Sequence, residues 1–207
     1  MPAKDERRIK IRRQPSDTFI MRKNQPSVFE RIRPYDDETG DLHVIIDTPK
    51  GSRNKYKFDE KFGLFKLGGV LAVGLYFPFD FGYIPNTLGG DGDPLDALVL
   101  MDEPAFVGCL IPSRLVGVIA AEQTENGKIE TNDRLIAVAS NSRVHQNIKS
   151  LNDLDGTLTD EIEHFFVSYN DAKGKKFKPL GRFGARKARE IIEAGIEFAE
   201  KPNGKNK

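Results

Sequence analysis

Short apolar runs rich in β-branched residues, placed close together along the chain, are the feature that most constrains the fold. They begin with Leu42–Thr48 and continue through a predicted hairpin, Lys55–Phe58 and Phe62–Leu67, to Gly82–Ile84 and Ala97–Met101. A doubly wound parallel sheet needs a crossover of a dozen or more residues, usually helical, between its strands. The connections here are too short for that, which argues against such a sheet and predicts a domain rich in strands.

The second half of the chain adds two predicted strands, after which its apolar residues recur at the spacing of a helix instead of a strand. Leu115–Ala121 and Arg134–Ala139 read as strands joined by a polar loop from Glu122 to Asp133. Apolar residues in Thr159–Tyr169 and Ala185–Ala199 then recur at helical spacing. We therefore predict an α+β fold with two C-terminal helices. Thr157 or Thr159 would cap the first helix, and a lysine-rich turn over residues 173–178 would follow it.

Charge divides the chain into a basic extension and a mildly acidic body. Residues 1–33 carry 10 Lys and Arg against 4 Asp and Glu, whereas the remainder carries 22 against 27. We interpret residues 1–33 as a solvated extension, residues 34–200 as the folded domain and residues 201–207 as a polar tail. A basic arm can touch nucleic acid or an acidic partner, but no strand-borne aromatic stacking pattern joins the basic residues, so nucleic-acid binding is not expected.

Composition excludes several classes of protein. With 38% hydrophobic and 30% charged residues, and no apolar run near the roughly 20 residues that span a bilayer, the chain is not expected to bind a membrane. A single cysteine, Cys109, forbids an intrachain disulfide. The N-terminal residues lack the apolar core of a secretion signal. These features predict a cytoplasmic protein.

The segment Gly89–Leu100, GGDGDPLDALVL, is the most informative part of the chain for function. It holds Asp91, Asp93 and Asp96 within six residues. Three carboxylates forced together repel one another unless a cation neutralises them, and hard ions such as Mg²⁺ or Mn²⁺ prefer such oxygens. An EF-hand is excluded by spacing, because its sixth position, counted from Asp91, is Asp96 instead of the required glycine.

Around this loop, Phe77–Leu100 resembles the soluble inorganic pyrophosphatases. The D-G-D-P-[aliphatic]-D signature of that family is intact, and Gly82–Thr87 resembles the family's approach to it. The likeness covers about residues 42–200, so the basic extension lies outside it. It implies an OB-like closed or partly closed β-barrel with two C-terminal helices packed alongside, and an assembly of several identical chains.

The resemblance also implies an activity and roles for individual residues. The activity is the Mg²⁺-dependent hydrolysis of pyrophosphate to two phosphates, with several metal ions bound and Mn²⁺ as a possible substitute. By resemblance, Asp91, Asp96 and Asp47 are metal ligands, and Asp93 is the carboxylate that accepts a proton from the attacking water. Two further residues match phosphate contacts of the family, Lys55 and Tyr169.

This chain departs from the family's pattern at several positions. A lysine, Lys57, stands where the family has glutamate, and an ungapped alignment places Gly69 at an arginine. Phenylalanines replace two tyrosines, and an asparagine replaces the lysine that follows the helix tyrosine; these residues are Phe77, Phe81 and Asn170. Each Tyr-to-Phe change keeps the ring and removes a polar contact.

The loop before the last predicted strand departs as well. The family carries two aspartates ahead of a lysine there, and the register places Asn132 at one aspartate and Arg134 at the lysine. We expect Asp133, or a neighbouring glutamate, to supply the missing metal ligand and Arg134 to clamp phosphate. The alternative is a degenerate relative that binds phosphate compounds or nucleic acid without efficient hydrolysis.

Overall fold

The computed structural model describes residues 29–201. Nine strands and two helices make up the domain: β1 Leu42–Thr48, β2 Asn54–Asp59, β3 Leu64–Val70, β4 Asp80–Tyr83, β5 Asp96–Leu100, β6 Leu110–Glu125, β7 Lys128–Thr131, β8 Arg134–Ala139, α1 Gly156–Asp171, β9 Lys176–Gly184 and α2 Ala185–Glu200. Short 3-10 turns occupy Phe29–Arg31 and Leu151–Asp153. No helix among these elements is long and apolar enough to cross a membrane.

Five strands close into a ring in the order β1, β4, β5, β8 and β6, with β6 pairing back onto β1. All of these pairings are antiparallel except the one between β5 and β8. The ring is uneven, because β7 and β9 extend it only along β6. The predicted α+β fold with an OB-like ring of strands and two helices alongside is thus confirmed. The β2–β3 hairpin forms a sheet of its own, outside the ring.

The ring has an apolar cluster on each face of its strands. Along β5, Leu98 and Leu100 belong to one cluster, whereas Ala97 and Val99 belong to the other. This follows from the period of two that directs successive side chains of a strand to opposite faces. Helix α1 covers the first cluster with buried residues that include Phe166, and α2 covers the second with residues that include Ile192. The two helices therefore pack on opposite faces.

Two strand predictions need correction. The predicted loop from Glu122 to Asp133 is a hairpin, because β6 runs on to Glu125 and turns at Asn126 and Gly127, which both have positive φ, into β7. The predicted turn over residues 173–178 gives way at Lys176 to β9, which pairs with β6 over eight residues. These segments are polar or charged, so no apolar alternation marks them as strands.

The first helix also begins differently from the prediction. It is capped by Asp155, whose carboxylate accepts a hydrogen bond from the backbone N–H of Thr157 at 2.8 Å. Thr157 and Thr159 lie inside the helix, so neither is the cap. The cap residue accepts the N–H groups that the first turn leaves unpaired.

Most of the predicted basic extension, residues 1–28, lies outside the described residues, as do residues 202–207 of the polar tail. The described end of the extension contacts the domain. His43, the second residue of β1, donates from its Nδ1 to the carbonyl of Arg33 at 2.8 Å and from its backbone N–H to the carbonyl of Pro34.

Candidate active site

A cleft of about 570 Å³ opens between the β2–β3 hairpin on one side and, on the other, the loop after β4 and the acidic loop that follows it. Its charged lining comes from β1, the hairpin and the acidic loop: Asp47, Lys55, Lys57, Glu60, Asp93 and Asp96. Both signs of charge therefore meet in one cavity, which is the arrangement that a charged ligand with bound cations requires.

Asp47 reaches this cleft from an irregular position in β1. The register of β1 against β4 shifts between Ile46 and Thr48, so Asp47 lies at a bulge, which redirects a side chain without ending the strand. The carboxylate accepts a hydrogen bond from the Thr48 hydroxyl at 2.6 Å. Burial raises the pKa of Asp47 to about 6, although the ammonium of Lys55 opposes the shift.

Lys55 lies at a second irregularity, where the register of β2 against β3 shifts after it. Its Nζ is 4.6 Å from the centroid of the Phe81 ring, so the ammonium rests on an aromatic face. Desolvation lowers the pKa of Lys55, but the neighbouring Asp96, Tyr169 and Asp47 outweigh it and leave the pKa raised. Lys55 is therefore a fixed cation among acidic groups.

The acidic loop is held in one conformation by its own hydrogen bonds. Gly92 has a φ of 84°, a left-handed conformation that favours glycine. The backbone N–H of Asp93 donates to Oδ1 of Asp91 at 3.1 Å, and that of Leu95 donates to the hydroxyl of Thr87. Desolvation raises the pKa of Asp91, and the charges of Asp96 and Asp93 add to it. Asp93 and Asp96 line the cleft, whereas Asp91 does not line it but lies close enough to both for their charges to act on its carboxylate.

Asp93 has a partner that no local pattern in the sequence indicates. The Nζ of Lys57, on β2, lies 3.1 Å from Oδ1 of Asp93, and both side chains are 64% exposed. The two residues are 36 positions apart, one on the hairpin and the other in the loop before β5, so only the packing of the hairpin against the loop brings them together. Lys57 was noted as a departure from the family, yet it is part of the cleft.

Arg134, the first residue of β8, neutralises Asp96. Its Nη1 is 2.8 Å from Oδ2 of Asp96 and also donates to the backbone carbonyl of Asp133 at 3.0 Å. The guanidinium carbon is 4.8 Å from the centroid of Phe166 and 5.3 Å from that of Phe177. Such stacking favours the planar guanidinium over a lysine ammonium at this position. Arg134 is 3% exposed, so its direction is fixed.

Next to Arg134, where the β6–β7 hairpin ends, the side chains are the amides Gln123 and Asn132, although the sequence predicted a carboxylate ligand there. Asn132 Nδ2 donates to Gln123 Oε1 at 3.0 Å, and the Oδ1 of Asn132 accepts from Arg134. Asp133 is turned to the backbone, because its Oδ1 accepts from the N–H of Ala121 at 3.0 Å. Within residues 29–201, no three carboxylate, imidazole or thiol groups converge as a ready-made metal ligand set.

Tyr169 joins this constellation from α1. Its ring centroid is 5.9 Å from Lys55 Nζ and 4.1 Å from Lys173 Nζ, and Lys173 also donates to the Tyr169 hydroxyl. The next residue, Asn170, is buried and donates to the carbonyl of Phe166. Lys173, one helical turn beyond Tyr169, is therefore the cation near the tyrosine, which the sequence analysis did not assign to the site.

Comparison with known proteins agrees with this architecture. The family model described as inorganic pyrophosphatase matches residues 44–200. The inorganic pyrophosphatase of Synechocystis sp. is 40% identical over 148 residues, which cover 72% of this chain and 85% of the relative. That of Leifsonia xyli is 41% identical over 158 residues, covering 76% and 94%.

Solved structures give the same result. The crystal structure of the inorganic pyrophosphatase from Thermus thermophilus superimposes with a TM-score of 0.76 at 32% identity, covering 84% of this chain and 99% of that one. The fold is thus shared with a protein of one catalytic class, the phosphoanhydride hydrolases. The chain belongs to the inorganic pyrophosphatase family.

Proposed function

We propose that the protein hydrolyses inorganic pyrophosphate to two phosphates. The observation that carries the proposal is the intact Asp91–Asp96 loop facing Asp47 and Lys55 across one cleft. Hydrolysis of so charged a substrate requires neutralised phosphates and a positioned water. The cleft supplies fixed cations for the first requirement and a carboxylate, Asp93, for the second.

Within this proposal, Asp93 accepts the proton of the attacking water, since it is the most exposed of the aspartates that line the cavity. Lys55 and Tyr169 hold the phosphates. Arg134 positions Asp96, and by the family resemblance we propose that it also contacts phosphate. A general base typically contributes about 10²–10⁴-fold to the rate.

We further propose that divalent cations, Mg²⁺ in particular and Mn²⁺ as a substitute, bind through Asp47, Asp91 and Asp96. The donor chemistry fits, since these are carboxylate oxygens. Desolvation is the main cause of the raised pKa of Asp47 and of Asp91, and the like charge of Asp96 adds to it, a repulsion that a cation would relieve. A bound divalent ion neutralises phosphate charge and lowers the pKa of a neighbouring water. Asp133 is left out of this ligand set, because its Oδ1 accepts from the N–H of Ala121 and only its Oδ2 would be open to an ion.

Self-association and location complete the proposal. Large apolar side chains stand exposed outside the cleft, among them Val73 at 88% and Phe106 at 72%, which supports a homo-oligomer. The one cysteine, Cys109, is free, as suits the reducing cytoplasm in which we place the protein. Light scattering on a sizing column measures the assembly directly.

Phosphorus NMR of a reaction containing pyrophosphate and Mg²⁺ tests the proposed reaction. We expect the pyrophosphate resonance to disappear while two phosphates form for each pyrophosphate lost. The degenerate alternative predicts a shifted and broadened pyrophosphate signal with no phosphate formed. Tripolyphosphate in a parallel sample shows whether cleavage is limited to the smallest anhydride.

A further inference from the structure

The β2–β3 hairpin carries two of the cations of the cleft but has little to hold it in place. Lys55 and Lys57 are both on β2, and the hairpin is a two-stranded sheet with no strand pairing to the ring. A two-stranded hairpin alone is at best marginally stable in water. Its position relative to Asp93 must therefore be fixed by side-chain packing.

Part of that packing comes from Phe29, in the segment before the first strand, beside the contacts of Lys55 with Phe81 and of Lys57 with Asp93. Its ring makes edge-to-face contacts with Phe58 on β2, at a centroid distance of 4.5 Å, and with Phe65 on β3, at 5.5 Å. Phe58 and Phe65 are a directly opposed pair 5.3 Å apart, so Phe29 completes a three-ring cluster on one face of the hairpin. Aromatic pairs in this geometry are favourable beyond the area they bury.

The same segment is tied to the other wall of the cleft. The carbonyl of Ile32 accepts from Asn86 Nδ2 at 2.8 Å, and Asn86 lies in the lining opposite the hairpin. The carbonyl of Arg33 accepts from His43 at the start of β1. Phe29–Arg33 thus connects the hairpin, the loop after β4 and the ring, and Phe29 itself lines the cavity.

We propose that Phe29 is a positioning residue of the active cleft: it holds the hairpin so that Lys55 and Lys57 face the acidic loop. This rests on the proposed pyrophosphate hydrolysis and adds to it a segment that lies before residues 44–200, the part matched by the family model. Because Phe29 acts through the two lysines, its loss weakens substrate binding more than the chemical step.

The kinetic test compares Phe29→Ala with Phe62→Ala, which removes an exposed ring from the turn of the same hairpin. We expect Phe29→Ala to raise KM for pyrophosphate about tenfold, the equivalent of roughly 1.4 kcal/mol, with kcat changed less than about threefold, as for lost uniform binding. Phe29→Leu, which keeps an apolar contact but loses the contacts between rings, should raise KM by an intermediate amount. Phe62→Ala should match the parent protein.

A second measurement does not depend on activity. Trypsin cleavage after Lys66, on β3, reports whether the hairpin is held, and we expect Phe29→Ala to accelerate it while Phe62→Ala does not. If Phe29→Ala changes neither KM nor this cleavage rate, the proposal is wrong. If the parent protein releases no phosphate, the proposed function fails, and the cleavage rates still decide whether Phe29 holds the hairpin. Should Phe29→Ala not fold, Phe29→Leu with an intermediate effect supports the proposal, and an unchanged Phe29→Leu overturns it.

Discussion

Two carboxylates of the cleft are already paired with cations of the chain itself. Lys57 forms a salt bridge with Asp93, and Arg134 forms one with Asp96. The pair at Asp93 is exposed and therefore contributes little to stability, whereas the pair at Asp96 is enclosed by aromatic rings. The protein thus supplies part of the positive charge that a pyrophosphatase site requires, and Asp93 is left at the mouth of the cleft where water reaches it.

Replacing Asp93 tests the proposed base. We expect Asp93→Asn to lower kcat by about 10²–10⁴-fold while the folded domain is retained, because the amide keeps the shape and loses the proton acceptor. Glu161→Gln, on the exposed face of α1, is the control for removing one negative charge. Steady-state phosphate release measures both variants, and turnover of Asp93→Asn close to that of the parent would remove this residue from the mechanism.

The buried carboxyl of Asp47 should make stability depend on pH in metal-free buffer. Its folded-state pKa, about 6, lies above the ordinary value of 3.8, so the folded protein holds this proton more tightly than the unfolded chain. The free energy of unfolding therefore falls as pH rises from about 4 to about 6, by about 3 kcal/mol.

We expect Asp47→Asn to remove this dependence. In EDTA, urea unfolding should show the variant to be more stable than the parent at pH 8 and nearly equal to it at pH 3.5. The asparagine carbonyl can still accept from Thr48, so the local hydrogen bond is preserved. A variant less stable than the parent at pH 8 would contradict the account of Asp47 as a desolvated acid.

Asp133 offers a test that separates structure from metal binding. Asp133→Ala leaves the N–H of Ala121 without its acceptor, and an unsatisfied backbone donor costs about 1–3 kcal/mol. We expect lower stability in thermal unfolding, with the Mg²⁺ concentration for half-maximal activity unchanged. A several-fold rise in that concentration would instead establish Asp133 as a metal ligand through its second oxygen.

At the scale of elements, the closing of the ring depends on a close approach of two strands. A Cβ on Gly82, in β4, would lie 2.0 Å from the carbonyl oxygen of Ile45 in β1. That distance leaves no room for any side chain, so the glycine allows β4 to pair closely with β1 beside Asp47.

Gly82→Ala should therefore destabilise the domain severely, by about 3 kcal/mol or more, because backbone must move to admit one methyl group. The matched control is Gly69→Ala on β3, where a Cβ meets nothing within 4 Å. Urea unfolding of the two variants measures the difference. Equal stability of Gly82→Ala and Gly69→Ala would mean that β4 and β1 are not held in this contact.

The elements that could be predicted from sequence are those whose apolar residues follow the period of their own structure. β1 and β8 match their predicted bounds because they are buried on both faces, and α2 begins at the predicted residue. β7 and β9 were missed because their side chains are largely exposed and charged, and they are held by pairing to β6 instead of by burial.

The candidate site divides along a similar line. The acidic triplet could be found from the sequence because its three aspartates lie within six residues, and that spacing matches the family's signature. Contacts between elements could not, since neither Lys57 with Asp93 nor Gln123 with Asn132 has any local signal that pairs them. Lys173 was missed because it lies past the end of α1, and only its contacts with the ring and hydroxyl of Tyr169 bring it to the site.

At the scale of the whole molecule, the cleft works because three separately built parts meet there. The ring supplies Asp47 and Asp96, the independent hairpin supplies Lys55 and Lys57, and the segment before β1 joins the hairpin to the opposite wall. Positive charge from the chain and from divalent ions together must balance the carboxylates and the substrate. Hydrolysis that depends on a divalent ion is the central expectation of the proposed function.

The most direct measurement is phosphate release from pyrophosphate by the full chain in Mg²⁺, in Mn²⁺ and in EDTA, with Asp93→Asn as the inactive reference. We expect rapid release in Mg²⁺, release in Mn²⁺ at a different rate, and none above the Asp93→Asn background in EDTA. Release that continues undiminished in EDTA would contradict the role of the carboxylates as metal ligands. No release with either ion, despite saturable binding of pyrophosphate, would contradict the proposed hydrolysis itself.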